Sequence, residues 1–243
     1  MKLTTIFISL VIFFITSCKT SEVQTPPGIY SYNNGIEGTP VSLEFSKGNS
    51  YNYPLMVFWV EDESGKFIQT LYVAGSIGKG NFAHGDASTG KWLPGPILRP
   101  ASLPYWAHRR GIMNSAGSYV PEAANPITDA YTGPTPAGNF ILNTRIENPS
   151  LRKFTFYMEI NQTWDWNEFW TNNKFPDDTE YKTSCQPALV YKADINLDSE
   201  VKTYDLKVIG HSHYSGKSGE LFTDLSTITT ALNIVKDIRV NVR

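Results

Sequence analysis

The stretch at residues 53–73, YPLMVFWVEDESGKFIQTLYV, decides the fold. Two runs rich in β-branched and aromatic residues flank a polar interval from Glu61 to Lys66. Ser64 and Gly65 mark a turn within it, so the segment reads as a β-hairpin. In the first run Met56, Phe58 and Val60 alternate with Val57 and Trp59, which leaves both faces apolar. A strand with one wet face alternates apolar and polar. A strand apolar on both faces is central in its sheet, or has its outer face covered by a loop.

Working outward, further strands are expected at 41–45, 138–146, 154–160, 188–195, 203–210 and 234–242. In the last, Ile234, Lys236, Ile238, Val240 and Val242 share one face against Val235, Asp237, Arg239 and Asn241. Leu142, Thr144 and Ile146 alternate in the same way with Asn143, Arg145 and Glu147. The stretch 75–132 differs: Gly and Pro recur irregularly, with one short helix expected near 101–110. A long insertion of this kind in a compact domain often carries function. The expected fold is all-β, an immunoglobulin-like antiparallel β-sandwich with a long irregular insertion.

Composition agrees. The chain has 243 residues, 41% of them hydrophobic and 18% charged, which describes a packed globular protein. Aromatics at 13% with 18 Gly and 15 Pro favour short strands joined by tight turns. A formal charge of −2 argues against a nucleic-acid partner. Two cysteines are too few for a disulfide framework or a four-thiolate zinc site.

At the N-terminus Lys2 precedes an apolar run from Ile6 to Ile15, interrupted by Ser9 and followed by Thr16, Ser17 and Cys18. The run is shorter than the roughly 20 residues that span a bilayer, and reads as a signal peptide. Ile15 to Cys18 resembles the bacterial lipobox, in which cleavage leaves Cys as first residue and lipid is attached to its thiol. The reading is therefore a signal peptide at 1–17, a lipidated tether at 18–40 rich in Ser, Thr, Pro, Gly and Asn, and one sandwich domain at 41–243 with the insertion at 75–132. Lys19, where an Asp would favour inner-membrane retention, points to the outer membrane of the cell envelope. With Cys18 carrying lipid, Cys185 is the remaining thiol and reads as a small buried hydrophobe.

The segments VFWVEDESGKFIQTLYV (57–73), PYWAHRRG (104–111) and DAYTGPTPAGNFIL (129–142) together resemble the DUF2271 family of periplasmic proteins of unknown function. The likeness covers roughly residues 50 to 243, with Pro134 where the family pattern has Ala. It implies a small β-sandwich in the envelope and supplies no chemistry that can be carried over residue by residue.

Three constellations are candidate sites. His211 and His213 fall on one face of an extended segment, a spacing that can chelate a divalent metal if His84 or His108 closes the site. Arg109 and Arg110, beside His108 and Trp106, can hold a carboxylate or phosphate with the indole stacked alongside. Trp164, Trp166 and Trp170 form a cluster of the kind that glycan-binding surfaces use. No Gly-x-Ser-x-Gly elbow, His-Glu-x-x-His or P-loop is present, so no catalytic residue is assigned. The leading expectation is a lipid-anchored envelope module that binds or assists, its partners being the membrane through Cys18, other envelope proteins or a glycan. A metal- or redox-linked protein using His211 and His213, and a glycan-binding module using the tryptophans, are the alternatives.

Overall fold

The computed structural model describes residues 26–32, 35–127 and 132–243. The signal peptide, Cys18 and the first residues of the 129–142 motif lie outside them. In chain order the strands are β1 (Gly28–Ser31), β2 (Thr39–Lys47), β3 (Leu55–Asp62) and β4 (Phe67–Ala74). The insertion follows as α1 (Gly75–Lys79), β5 (Asn81–Asp86), β6 (Leu93–Pro96) and α2 (Pro104–Arg110). After it come β7 (Thr132–Gly133), β8 (Phe140–Ile146), β9 (Lys153–Asn161), α3 (Tyr181–Ser184), β10 (Leu189–Asn196), β11 (Thr203–Asp205), β12 (Lys207–His211) and β13 (Val235–Val242).

Two sheets form the sandwich. One has five strands in the order β1-β8-β2-β13-β11, the other six in the order β12-β10-β9-β3-β4-β7. Their inner faces share one core, with Leu43, Phe45, Leu142 and Val240 of the first sheet against Phe58, Phe156, Met158 and Tyr191 of the second. The Phe58 and Phe140 rings meet across it at 6.4 Å. Burial alternates along β2 and β8 as the sequence pattern requires. In β13 the alternation holds from Ile238 onward. Lys236 shares that parity yet is exposed, because a register shift lies between Val235 and Asp237.

β3 is buried on both faces from Leu55 through Glu61. Its inner residues join the common core. Its outer residues Leu55, Val57 and Trp59 pack with Ile77, Leu103, Trp106 and Val120 of the insertion in a second core. The insertion is thus the cover that the hairpin's two apolar faces require.

Three features depart from expectation. Both large sheets are mixed rather than purely antiparallel, since β1 pairs parallel to β8 and β4 parallel to β7. The sheet begins inside the stretch read as tether, at Gly28. The single strand expected at 203–210 is two, with β11 paired to β13 in the first sheet and β12 to β10 in the second. Buried Leu206 sits between them, its amide donating to Ile238 O at 3.0 Å as the chain changes sheet.

The sandwich has two distinct ends. At one, β2 leaves the first sheet and 48–54 crosses to β3, whose first residue Leu55 faces Asn161 at the end of β9. Asn52 N–H donates to Gln162 Oε1 at 2.8 Å, so this crossing touches the 162–187 loop. β1 also starts here, with Gly28 opposite Phe140, which in turn faces Phe45 of β2. We call this the near end. The far end holds the turns at 62–66, 147–152 and 197–202.

Candidate functional site

The helix α2 and its neighbours account for the arginine candidate. Trp106 is fully buried and its indole N–H donates to Thr70 Oγ1 at 3.0 Å. Arg109 is committed to Glu61: Nε donates to Oε1 at 2.8 Å, and a second guanidinium nitrogen closes on Oε2. That nitrogen also donates to Gly65 O at 2.5 Å. Glu61 is fully buried and accepts the Trp59 indole N–H as well, at 3.0 Å. This bidentate pairing and hydrogen bonding hold the Arg109 pKa above its ordinary value. The first turn of α2 is held in parallel fashion, since the Tyr105 and Trp106 amides donate to the two oxygens of Glu159 at 3.1 and 2.8 Å. Burial pushes the Glu159 carboxyl up to about 8, although those amides and the Ser212 hydroxyl pull the other way. His108 Nδ1 lies 2.8 Å from Pro104 O and its ring meets Tyr119, while the Arg110 guanidinium lies 5.9 Å from the Trp106 ring centroid.

The expectation that Trp106 and Arg109 receive a ligand is therefore corrected: the anion for Arg109 is Glu61, and Trp106 is core. Two buried glutamate side chains on adjacent strands, Glu61 and Glu159, pin the helix near both its ends. A signal for the pairing lies in Glu61 itself, a charged residue closing an apolar run, which demands a partner once it is buried.

The histidine candidate also changes. His211 is buried, with Nδ1 2.8 Å from Ser212 O and its ring stacked on Phe222. His213 stacks on Tyr214, and its Nδ1 accepts the Ser215 amide at 3.2 Å. His84 lies exposed on β5. Among the described residues no three His, Cys, Asp or Glu side chains are grouped to hold a metal, so the pair lacks a third ligand. Burial lowers the pKa of both imidazoles. Cys185 is fully buried, and that burial together with nearby Asp165 pushes its thiol up to about 11.

The tryptophan cluster divides. Trp170 is 7% exposed and belongs to the core, its indole N–H donating to Thr227 Oγ1 at 3.1 Å. Trp164, Trp166 and Phe169 are 63%, 55% and 50% exposed. The loop that carries them is nonetheless tightly held. Asp165 N–H donates to Ser184 O at 3.2 Å, and Gln186 N–H returns to Asp165 O at 3.0 Å. Asn167 Oδ1 takes the Phe169 and Trp170 amides at 2.9 and 2.6 Å, while its Nδ2 reaches Thr227 O and Thr229 Oγ1. Lys174 Nζ lies 3.0 Å from the Phe169 ring centroid and donates to Phe169 O, and burial lowers its pKa.

Sequence reasoning missed one partner of these rings. Tyr53, 66% exposed, stands on the neighbouring 48–54 crossing. Tyr53 and Trp164 both have left-handed backbones, with φ 47° and 61°. Bulky residues rarely adopt that conformation, which costs roughly 1–2 kcal/mol. The near end thus offers exposed rings on a braced backbone, an arrangement suited to contact. No protein-family model, curated protein or solved structure matches the chain.

Proposed function

We propose that the chain is a lipid-anchored, non-enzymatic β-sandwich of the bacterial cell envelope, a binding or accessory module whose contact surface is the near end. The observation that carries this reading is the pairing of a rigid loop with exposed rings at 164, 166 and 169. Exposed aromatics on a braced backbone favour binding over catalysis because little order is lost on contact. The lipobox-like Ile15 to Cys18 supports the anchor, and the outer membrane is the destination that Lys19 favours. Among the described residues no helix is long and apolar enough to cross a membrane. The likeness to the DUF2271 family agrees with an envelope address.

The test is the mass of the processed protein. Cleavage before Cys18 and a mass increment of a diacylglyceryl group with or without a further acyl chain are expected, and both vanish in Cys18→Ala. A mature chain that begins elsewhere, or carries no lipid, sinks the anchored reading. A glycan is the second candidate occupant of the near-end rings, favoured by the exposure of Trp164 and Trp166.

A further inference from the structure

We infer that the near end of the sandwich rests on the lipid–water interface of the membrane that holds the chain, with Tyr53, Trp164 and Trp166 seated at headgroup level. This rests on the reading of Cys18 as the anchor.

The first argument is reach. From Cys18 to Pro26 is eight peptide steps (26 − 18), at most about 29 Å even when fully extended. The chain enters the fold through β1, which starts at the near end. The nine residues of β2 span about 30 Å, so the far end lies a further tether length away. The end that carries the exposed rings is the end the anchor holds closest to the bilayer.

The second argument is the chemistry of the rings. Indole and phenol combine an apolar body with one polar group, which is why Trp and Tyr collect at headgroup depth. A sugar platform needs rings together with hydrogen-bonding groups turned toward the ligand. Here three of the polar side chains beside the tryptophans, Asn167, Gln186 and Thr230, are spent within the fold, while Thr163 and Glu168 stand exposed. Asn167 serves Phe169, Trp170, Thr227 and Thr229. Gln186 serves Thr229 and Thr230, and Thr230 serves Asp165. Beside Thr163 and Glu168, the loop turns three aromatic rings outward, Trp164, Trp166 and Phe169.

The third argument is strain. Tyr53 and Trp164 hold left-handed backbones at exposed positions. Glycine would relieve both, so a ring at each site points to a use for the ring itself.

The test uses the full-length lipidated protein on phosphatidylethanolamine and phosphatidylglycerol vesicles, with and without brominated acyl chains. Tryptophan emission is expected to shift to the blue on the vesicles and to be quenched by bromine. Trp164→Phe combined with Trp166→Phe should lose most of that quenching. Trp92→Phe, which alters an exposed ring on the β5–β6 hairpin, should keep it. Near-ultraviolet circular dichroism checks that the double variant is folded, and Tyr53→Asp provides an independent arm that should reduce quenching of the native tryptophans. Protein that floats with the vesicles but is not quenched overturns this inference and leaves the anchor standing. Quenching that survives the double variant overturns it too. Protein that does not float overturns the anchored reading and this inference together. Unquenched rings whose emission responds to soluble oligosaccharides overturn it in favour of a glycan.

Discussion

The two ends of the sandwich solve the same problem with different residues. At the far end the β3–β4 turn needs one left-handed residue and has Gly65, with φ 79°. Asp62 completes that turn by accepting the Ser64 and Lys66 amides at 2.9 and 3.0 Å. Neighbouring turns are charged, with Arg152 on Asp198 at 2.8 Å and Lys153 near Glu63 at 3.8 Å. At the near end three left-handed positions hold residues other than glycine: Tyr53, Trp164 and Cys185. One end thus follows the conformational rule for glycine and faces water with charge. The other breaks that rule and faces outward with rings. The contrast teaches that the near end is organised around what its side chains present, and the far end around turning the chain.

This contrast can be broken or sharpened by measurement, beginning with the largest effect. Arg109→Ala strands Glu61 as a buried charge and removes a contact to the Gly65 carbonyl. Urea unfolding should show a loss of about 3–5 kcal/mol, and a loss below 1 would show the far-end turn to be held without the pair. Next is pH. Glu159, with its carboxyl pushed up to about 8 in the fold, binds its proton more tightly there than when unfolded. Its contribution is therefore present below the ordinary carboxylate range and lost as pH rises through about 8. His211, lowered by burial, works oppositely: its contribution is present above its ordinary range and lost as pH falls below it. Between about pH 7 and 8 the carboxyl dominates. Stability should fall across that interval by up to about 1.4 kcal/mol per pH unit and level off above it, and Glu159→Gln should flatten that slope.

Glycine exchange comes third and tests the contrast directly. Trp164→Gly should stabilise the fold by about 0.5–1 kcal/mol, once the chain entropy of glycine is set against the relieved strain. Gly65→Ala should destabilise it by about 1 kcal/mol. Thermal unfolding that moves in the same direction for both removes the distinction between the ends. The smallest effect is expected of Arg152→Ala. Its ion pair is half exposed on both sides, and equilibrium unfolding should change by less than about 0.5 kcal/mol.

Much of this was legible in the residues. The double-faced apolar run at 55–60 called for a cover, and the insertion supplies it. Glu61 reads in the sequence as the start of a polar turn, and nothing local to it names Arg109, which arrives from 48 positions away. β1 was hidden because four residues in a turn-rich stretch carry no periodicity, and its parallel pairing is fixed by β8. The break at Leu206 was hidden because alternation continues across it while the chain changes sheets. Within 164–170 the tryptophans look alike. The loop has no repeat, so only the folded structure separates buried Trp170 from exposed Trp164 and Trp166.

The parallel edge strand has a mechanical consequence. The described chain runs from Pro26 directly into β1, where Gly28 N–H bonds Asn139 O and Tyr32 N–H bonds Asn143 O, each at 2.9 Å. Tension along that axis loads the β1–β8 pairing in shear, so its bonds share the force instead of unzipping one by one. Tyr32 acts as the latch: its ring meets Tyr72 at 5.7 Å, and a methyl group on Gly133 would strike its hydroxyl at 2.0 Å. A pull on the N-terminal end of this strand is therefore met by the whole β1–β8 pairing at once.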